Sequence, residues 1–178
     1  KRQGYGYRAA VEEGDDADVR TLFDTNFFGA VAMIKAVLPG MRERRSGTIV
    51  NLSSIGAQVR PPGSGYYSAS KAALEAMSGS LRTELEPLGI GVTVVEPGGF
   101  RTDFAGRSLT QSRAPIADYA ETAGRRRKEN DTAHGRQPGD PARAAAVLVD
   151  VVDAGAPPAL LLLGRDALRS FRDVTRAR

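Results

Sequence analysis

Three residues able to share one proton-transfer task stand close together in the middle of the sequence. Ser54 follows the run Thr48-Ile49-Val50-Asn51-Leu52, Tyr67 comes thirteen residues after Ser54, and Lys71 lies four beyond Tyr67. A spacing of four on a helix places Tyr67 and Lys71 on one face. A phenol with its ordinary pKa near 10 is a poor acid or base at neutral pH, but a cation within about 4–6 Å favours the phenolate and draws that pKa toward the working range. Lys71 can supply the cation. Ser54, at the C-terminal end of a strand, can hydrogen-bond the oxygen of a carbonyl or alcohol while Tyr67 passes it a proton. Alone, a Tyr-x-x-x-Lys pair reads first as two solvated side chains on a helix. Its setting gives it weight: a strand ending in Asn51-Leu52-Ser53-Ser54, a Gly/Pro loop, a helix opened by Tyr67-Ser68-Ala69-Ser70-Lys71, and a second strand ending in Pro97-Gly98.

The elements that must hold these residues follow from periodicity. Between Asp15 and Met41 the apolar positions Val19, Leu22, Phe23, Phe27, Ala30, Val31, Ile34, Val37, Leu38 and Met41 recur at threes and fours, which predicts a long amphipathic helix. Asp15 and Asp16 suit its N-terminus, Pro39 and Gly40 weaken its end, and 42–46 closed by Gly47 reads as a turn. The branched runs 48–52 and 92–95 predict short buried strands. Between them 68–88 carries Ala, Leu and Met at helical spacing and stops at Pro87 and Gly89. After Pro97 the chain is rich in Arg, Ala, Ser and Gly as far as Pro138, an irregular insertion with one helix expected over 116–128. Asp140 caps a helix from Pro141 to about Asp153. A third apolar run covers 159–163, and an amphipathic segment follows from Asp166. Strands alternating with helices of this length imply parallel pairing, hence an α/β fold, a doubly wound parallel sheet of Rossmann-like type with helices on both faces. Ligands of such sheets sit beyond the carboxyl ends of the strands, here after Leu52, Glu96 and Gly164. No repeat and no linker divides the chain, so one domain is expected over 1–178, with 103–138 as a substrate-loop insertion within it.

Composition narrows the partners. The 178 residues are 41% hydrophobic, enough for a sizeable core, and the absence of cysteine excludes disulfides, thiolate metal sites and a cysteine nucleophile. Lys plus Arg total 25 against 21 Asp plus Glu, a net charge of +4 and a bias too modest for a dedicated nucleic-acid binder. No unbroken apolar run approaches the roughly 18 residues of a spanning segment, and no basic-then-apolar leader opens the chain, so no membrane partner and a cytoplasmic location are expected. His134 stands alone in a polar loop and predicts no metal site. The basic tract Arg125-Arg126-Arg127-Lys128 reads as the solvated face of a helix over the substrate cleft. Phe104, Ile116 and Tyr119 are candidates to line that cleft.

At these residues the chain resembles the short-chain dehydrogenase/reductase (SDR) family, from about Gly4 to about Leu168. The resemblance implies that Tyr67 is the catalytic acid/base, that Ser54 orients the substrate carbonyl, and that Lys71 lowers the Tyr67 pKa and binds the nicotinamide ribose of NAD or NADP. Asn26, in Asp24-Thr25-Asn26-Phe27-Phe28-Gly29, matches the family's helix asparagine that supports a proton-relay water; by spacing alone it is a polar residue on a helix surface. Pro97-Gly98-Gly99-Phe100-Arg101-Thr102 is similar to the family segment whose main chain and Thr102 hold the nicotinamide carboxamide; by itself it is a Pro-Gly turn. The segments 137–141 and 163–168 are similar to the family's tail.

The family's glycine-rich turn, which brings the pyrophosphate to a helix N-terminus, has no counterpart: no Gly-x-x-x-Gly-x-Gly occurs among the twenty glycines. Lys1-Arg2-Gln3-Gly4 stands where relatives carry Asn-Asn-Ala-Gly. The chain, which starts at Lys1, therefore reads as the C-terminal two-thirds of a family member, expected to be unstable or to associate, and inactive without its N-terminal part. Three readings stay open: an oxidoreductase acting on a small carbonyl or alcohol, a non-catalytic remnant that only associates, and an epimerase acting on nucleotide sugars. The short C-terminal region disfavours the last. Association as a homo-oligomer is expected through the helices at 15–41 and 68–88.

Overall fold

In the structure, a computed structural model describing residues 4–177, the chain runs through twelve helices and strands. They are β1 (Gly6–Arg8), α1 (Asp16–Phe23), α2 (Gly29–Arg44), β2 (Gly47–Leu52), α3 (Gly56–Val59), α4 (Gly65–Leu85), β3 (Ile90–Pro97), β4 (Leu109–Gln111), α5 (Arg125–Ala133), α6 (Pro141–Asp153), β5 (Leu160–Leu163) and α7 (Arg165–Arg176), with short 3-10 and π turns between some of them. Residues 1–3 of the Lys1-Arg2-Gln3-Gly4 segment lie outside the described residues.

The branched, apolar runs form a parallel sheet in the order β2-β3-β5. β2 and β3 pair from Gly47↔Ile90 to Leu52↔Val95, and β5 joins the other side of β3 from Val94↔Leu160 to Pro97↔Leu163. Side chains alternate across a strand. Ile49 of β2 and Ile90 and Val92 of β3 therefore share a face, where they meet Ile34 of α2 and Leu81 and Leu85 of α4 in one buried cluster. A second cluster of Tyr5, Tyr7, Ala9 and Leu22 joins β1 to α1. The α/β class and parallel pairing agree with the sequence. The element ends need correction.

The helix expected over 15–41 is a continuous rod with a π turn, Asp24–Phe28, between α1 and α2. That turn inserts a residue into the helical phase. Asn26, polar surface by spacing, is thereby carried inward and is 3% exposed. The rod also continues through Pro39 and Gly40 to Arg44, so 42–44 is helix rather than turn. Pro39 lies on the exposed side, where the carbonyl that it leaves without a donor can turn to water. The rod from Asp16 to Arg44 holds an 18-residue window of mean hydropathy 1.3, long and apolar enough by length and composition to cross a membrane, although no unbroken apolar run does so. Helix α4 starts at Gly65 instead of 68 and yields at Glu86 to a 3-10 turn through Leu88, because Pro87 withdraws an amide donor.

The insertion holds an unexpected strand. β4, only Leu-Thr-Gln, pairs in parallel with β1 from Gly6↔Leu109 to Arg8↔Gln111. The helix expected over 116–128 forms at 125–133, because Ile116 after Pro115 is extended and the next residues turn in 3-10 and π geometry. Its basic tract is not wholly solvated. Arg127 pairs with the buried Glu13, and Arg8 pairs with Asp131 at 2.6 Å. Burial works to raise the Glu13 carboxyl, but the amides of Ile116 and Ala10 and the Arg127 guanidinium outweigh it and hold the group below the ordinary carboxylate range.

Two aspartates cap helices as expected: Asp15 accepts from Ala17 and Asp18, and Asp140 accepts from Ala142, with Pro141 in the first turn. Replacing Asp15 by Ala is expected to cost about 1 kcal/mol of stability through loss of this cap. A denaturant midpoint unchanged from the parent's would show that the cap contributes nothing.

Candidate active site

The parallel register brings the ends of β2 and β3 out side by side, and the chain continues from both edges with polar residues. The Ser53 amide donates to Val95 O at 2.8 Å and the Ile55 amide to Pro97 O at 3.2 Å, so the exit is held past the strands themselves. Ser54 follows at once. Its hydroxyl accepts from the Gly56 amide at 3.0 Å and faces the phenol of Tyr67, two residues into α4. A side chain at Gly56 would press on both partners, since a Cβ there would lie 3.2 Å from Ser54 Oγ and 3.5 Å from the Tyr67 ring. One helical turn along, Lys71 is buried, its Nζ donating to Leu52 O at 2.8 Å and lying 6.0 Å from the Tyr67 ring centroid. The Phe104 ring stands 5.6 Å from that of Tyr67 and walls the site from the insertion. Ile116 and Tyr119, grouped with Phe104 by sequence, bond elsewhere: the Ile116 amide to Glu13, and the Tyr119 hydroxyl to Glu12.

Asn26 reaches the same region from the rod. Its Oδ1 accepts from the Tyr5 amide at 3.0 Å, and its Nδ2 donates to Tyr5 O at 3.0 Å and to Ser70 Oγ at 3.2 Å. Ser70 in turn donates to Tyr67 O. Asn26 thus ties the segment before β1 to the first turns of α4. Gly4, with φ +89°, sits between Asn26 and Lys71: a Cβ built on it would lie 3.4 Å from Asn26 Oδ1 and 3.7 Å from Lys71 Nζ.

Solvent exclusion dominates the electrostatics. Burial pushes the Tyr67 phenol up to about 12, opposed by the Ser54 hydrogen bond, and pushes the Lys71 ammonium down to about 8, opposed by the Glu75 carboxylate. The sequence predicts a phenol lowered by its lysine. In the structure Lys71 turns to the Leu52 carbonyl, and the loss of water outweighs its pull. Tyr67 therefore keeps its proton at neutral pH.

The segment Pro97 to Thr102 lies beside this group, and its amides are mostly engaged within the protein. Gly98 N donates to Leu163 O, Gly99 N to Asp166 Oδ2, Arg101 N to Gly139 O, and Thr102 N to Phe100 O. The exposed Thr102 hydroxyl accepts from the Phe104 amide at 3.3 Å, which leaves its own proton for a partner. A cleft of about 800 Å³ lies elsewhere, between β1, β4 and the rod, lined by residues that include Arg8, Thr21, Thr25 and Gln111 and by none of Ser54, Tyr67 or Lys71.

The sequence reading missed a further polar group behind Lys71. Glu75 and Glu96 share the side-chain amide of Gln58, and Ser53 donates to Glu75. The signal was present, since Glu96 is the one acidic residue in the apolar run from Ile90 to Pro97.

The fold is that of a known class. The family model of the short chain dehydrogenases matches residues 4–113, and the chain belongs to that family. It is 36% identical over 165 residues to an oxidoreductase, BOA17, of Botryotinia fuckeliana, an alignment covering 93% of this chain and 60% of that protein. It is 43% identical over 120 residues to a 3-ketodihydrosphingosine reductase of Bacteroides thetaiotaomicron, covering 67% of this chain and 45% of the relative. A crystal structure of a short-chain dehydrogenase from Streptomyces avermitilis superposes with a TM-score of 0.88 at 40% identity, over 99% of this chain and 65% of that one. The chain thus spans 60% or less of the length of these two curated relatives.

Replacing Asn26 by Ala leaves a buried amide and carbonyl of Tyr5 without their partner, and is expected to cost about 1–3 kcal/mol. Chemical denaturation tests this. Parent-like stability would mean that water replaces the side chain without penalty.

Proposed function

We propose that the chain carries the acid–base and nicotinamide-facing part of an NAD- or NADP-dependent oxidoreductase that interconverts a carbonyl and an alcohol. One observation carries the reading: the Ser54 hydroxyl and the Tyr67 phenol face each other at the carboxyl edge of a parallel sheet, with the Lys71 ammonium one helical turn away. An oxygen that took the place between Ser54 and Tyr67 would receive two hydrogen bonds and, from Tyr67, a proton. Phe104 closes the site on one side and excludes water from that transfer.

The residues fit the ribose and nicotinamide end of the cofactor. Lys71 has one protein acceptor among the described residues, Leu52 O, which leaves ammonium protons for a ribose hydroxyl, and the space over Gly4 beside Lys71 and Asn26 is one that a Cβ would fill. Pro97, Gly98 and Thr102 would face the carboxamide through main-chain carbonyls and the Thr102 hydroxyl proton, since their neighbouring amides are taken. When bound, the nicotinamide supplies or removes the hydride. Lys71 holds the ribose and steadies the charge near Tyr67. Asn26 keeps Gly4 and α4 in place and supports a relay water. Tyr67 moves the substrate proton.

The rod and α4 also support association with a second copy. Phe28 is 56% exposed and Met33 66%, and α4 presents the small exposed residues Ala69, Ala72, Ala76 and Gly79, over which another helix can pack closely. Met33→Glu is expected to shift the protein toward monomer in light scattering, and an unchanged mass would remove this face from the interface.

For the chemistry the direct test is Tyr67→Phe in the full-length protein, with NADH and NADPH and a panel of small carbonyl substrates. Turnover is expected to fall by about 10²–10⁴-fold while cofactor affinity, read by fluorescence titration, stays nearly constant. Retained turnover would refute the acid/base assignment. A parent protein that binds neither cofactor would favour the reading as an associating remnant.

A further inference from the structure

Behind the Tyr67–Lys71 pair, two carboxyl groups, the buried Glu96 and the half-buried Glu75, meet at one neutral amide. Gln58 Nε2 donates to Glu75 Oε2 at 3.0 Å and to Glu96 Oε1 at 2.9 Å, one amide proton to each. Glu96 is 1% exposed, and its Oε2 lies buried with no donor facing it. Glu75 is its carboxyl neighbour, accepting from the same amide nitrogen. Two carboxylates cannot both ionise at ordinary cost in such a site, whereas a proton on Glu96 Oε2 directed at Glu75 gives the orphan oxygen a partner and removes the repulsion.

The pair is coupled to Lys71 through two adjacent residues at the end of β2. Leu52 O accepts from Lys71 Nζ, and the Ser53 hydroxyl donates to Glu75 Oε1. Glu75 also follows Lys71 by four residues on α4, the spacing at which side chains meet. We propose that Glu75 and Glu96 hold a single proton between them, and that release of this proton adds the negative charge that keeps Lys71 an ammonium ion at alkaline pH. Glu75 and Glu96 are positioning residues in this scheme, which rests on the role given to Lys71 above.

The surroundings contain little else that titrates. Helix α4 brings Lys71, Glu75 and Tyr67. Helix α3 brings the neutral Gln58, followed by the exposed Arg60, which bonds the Gln58 carbonyl. β2 and its exit bring Asn51, which bonds Ser78, and Ser53. β5 brings Leu162 opposite Glu96, and the nearby Asp166 of α7 is engaged by the Gly99 amide.

Burial raises Glu96 to about 7, with the Gln58 hydrogen bond opposing and Glu75 adding to the rise. Burial, opposed by the Glu75 carboxylate, brings the Lys71 ammonium down to about 8, so the second carboxylate charge appears just below the pH at which it is needed. The sign for stability follows: a carboxyl raised on folding favours the native state fully below its unfolded value of 4.5, and this contribution disappears as pH rises through about 7.

Two measurements test the proposal, and neither needs turnover. Infrared spectra of the protein near pH 6 are expected to show a buried carboxylic acid band that is absent in Glu96→Gln. A spectrum without it overturns the shared proton even if no variant folds. Second, with lysine side chains ¹³C-labelled and Lys71 assigned from Lys71→Met, its NMR titration midpoint is expected to be highest in the parent, lower in Glu96→Gln, and about one pH unit below the parent in Glu75→Gln/Glu96→Gln. Midpoints that do not move in the folded double variant overturn the coupling to Lys71. Failure of the Tyr67→Phe prediction would leave both readouts untouched, so the two readings fail separately.

Discussion

The parallel register of β2 against β3 is the constraint from which the rest of the site follows. Pairing Leu52 with Val95 fixes Ser53 and Ser54 beside Glu96 and Pro97, and α4 then has one way to cross back over the sheet with its apolar side on Ile49, Ile90 and Val92. A slip of one residue would turn every side chain to the opposite face. It would bury Val50 where Ile49 and Asn51 now meet the helix, and would leave Ser78 without the Asn51 amide. The chemistry of the carboxyl edge is thus held by the packing of branched residues well away from it.

Water exclusion is the second theme. The Tyr67 phenol and the Lys71 ammonium both shift toward their neutral forms because the fold removes them from solvent faster than it offers them opposite charge. Spacing along a helix says which side chains are neighbours and nothing about how much water they keep. An argument from Tyr-x-x-x-Lys alone sets the two side chains one turn apart and misjudges the balance between burial and charge. The opposing groups are Ser54, from the end of β2, for the phenol, and Glu75, one turn further along α4, for the ammonium.

Much of the fold was legible in the sequence because it rests on period and punctuation. Apolar runs gave β2, β3 and β5 but not β1, Asp15 and Asp140 gave helix starts, and Pro87 marked an end. The errors share a cause: local signals were overruled by contacts distant in sequence. Pro39 stays helical because the rod around it is held at Leu22 and Ile34. Asn26 lies inside because a π turn shifts the helical phase, and it then finds the main chain of Tyr5. β4 was invisible as three residues of mixed polarity and exists because β1 offers it an edge. At the site, Ser54, Tyr67 and Lys71 were readable from order and spacing. Glu75 and Glu96 needed the third dimension, although a carboxylate in an apolar strand was a warning.

The basic tract of the insertion turned out to be an anchor. Arg127 reaches the buried Glu13 and Asp131 meets Arg8, so the far end of the loop that carries Phe104 is fastened to the same layer as β1. Lifting α5 away would strand an ionised carboxylate without its guanidinium, a cost of several kcal/mol, whereas 103–107 is held mainly by its own short turn and an exposed ion pair. The cover over Tyr67 is therefore fastened by buried charge on its α5 side only. Its Phe104 side is held by a ring contact and by surface charge, so parting Phe104 from the phenol strands no buried ion.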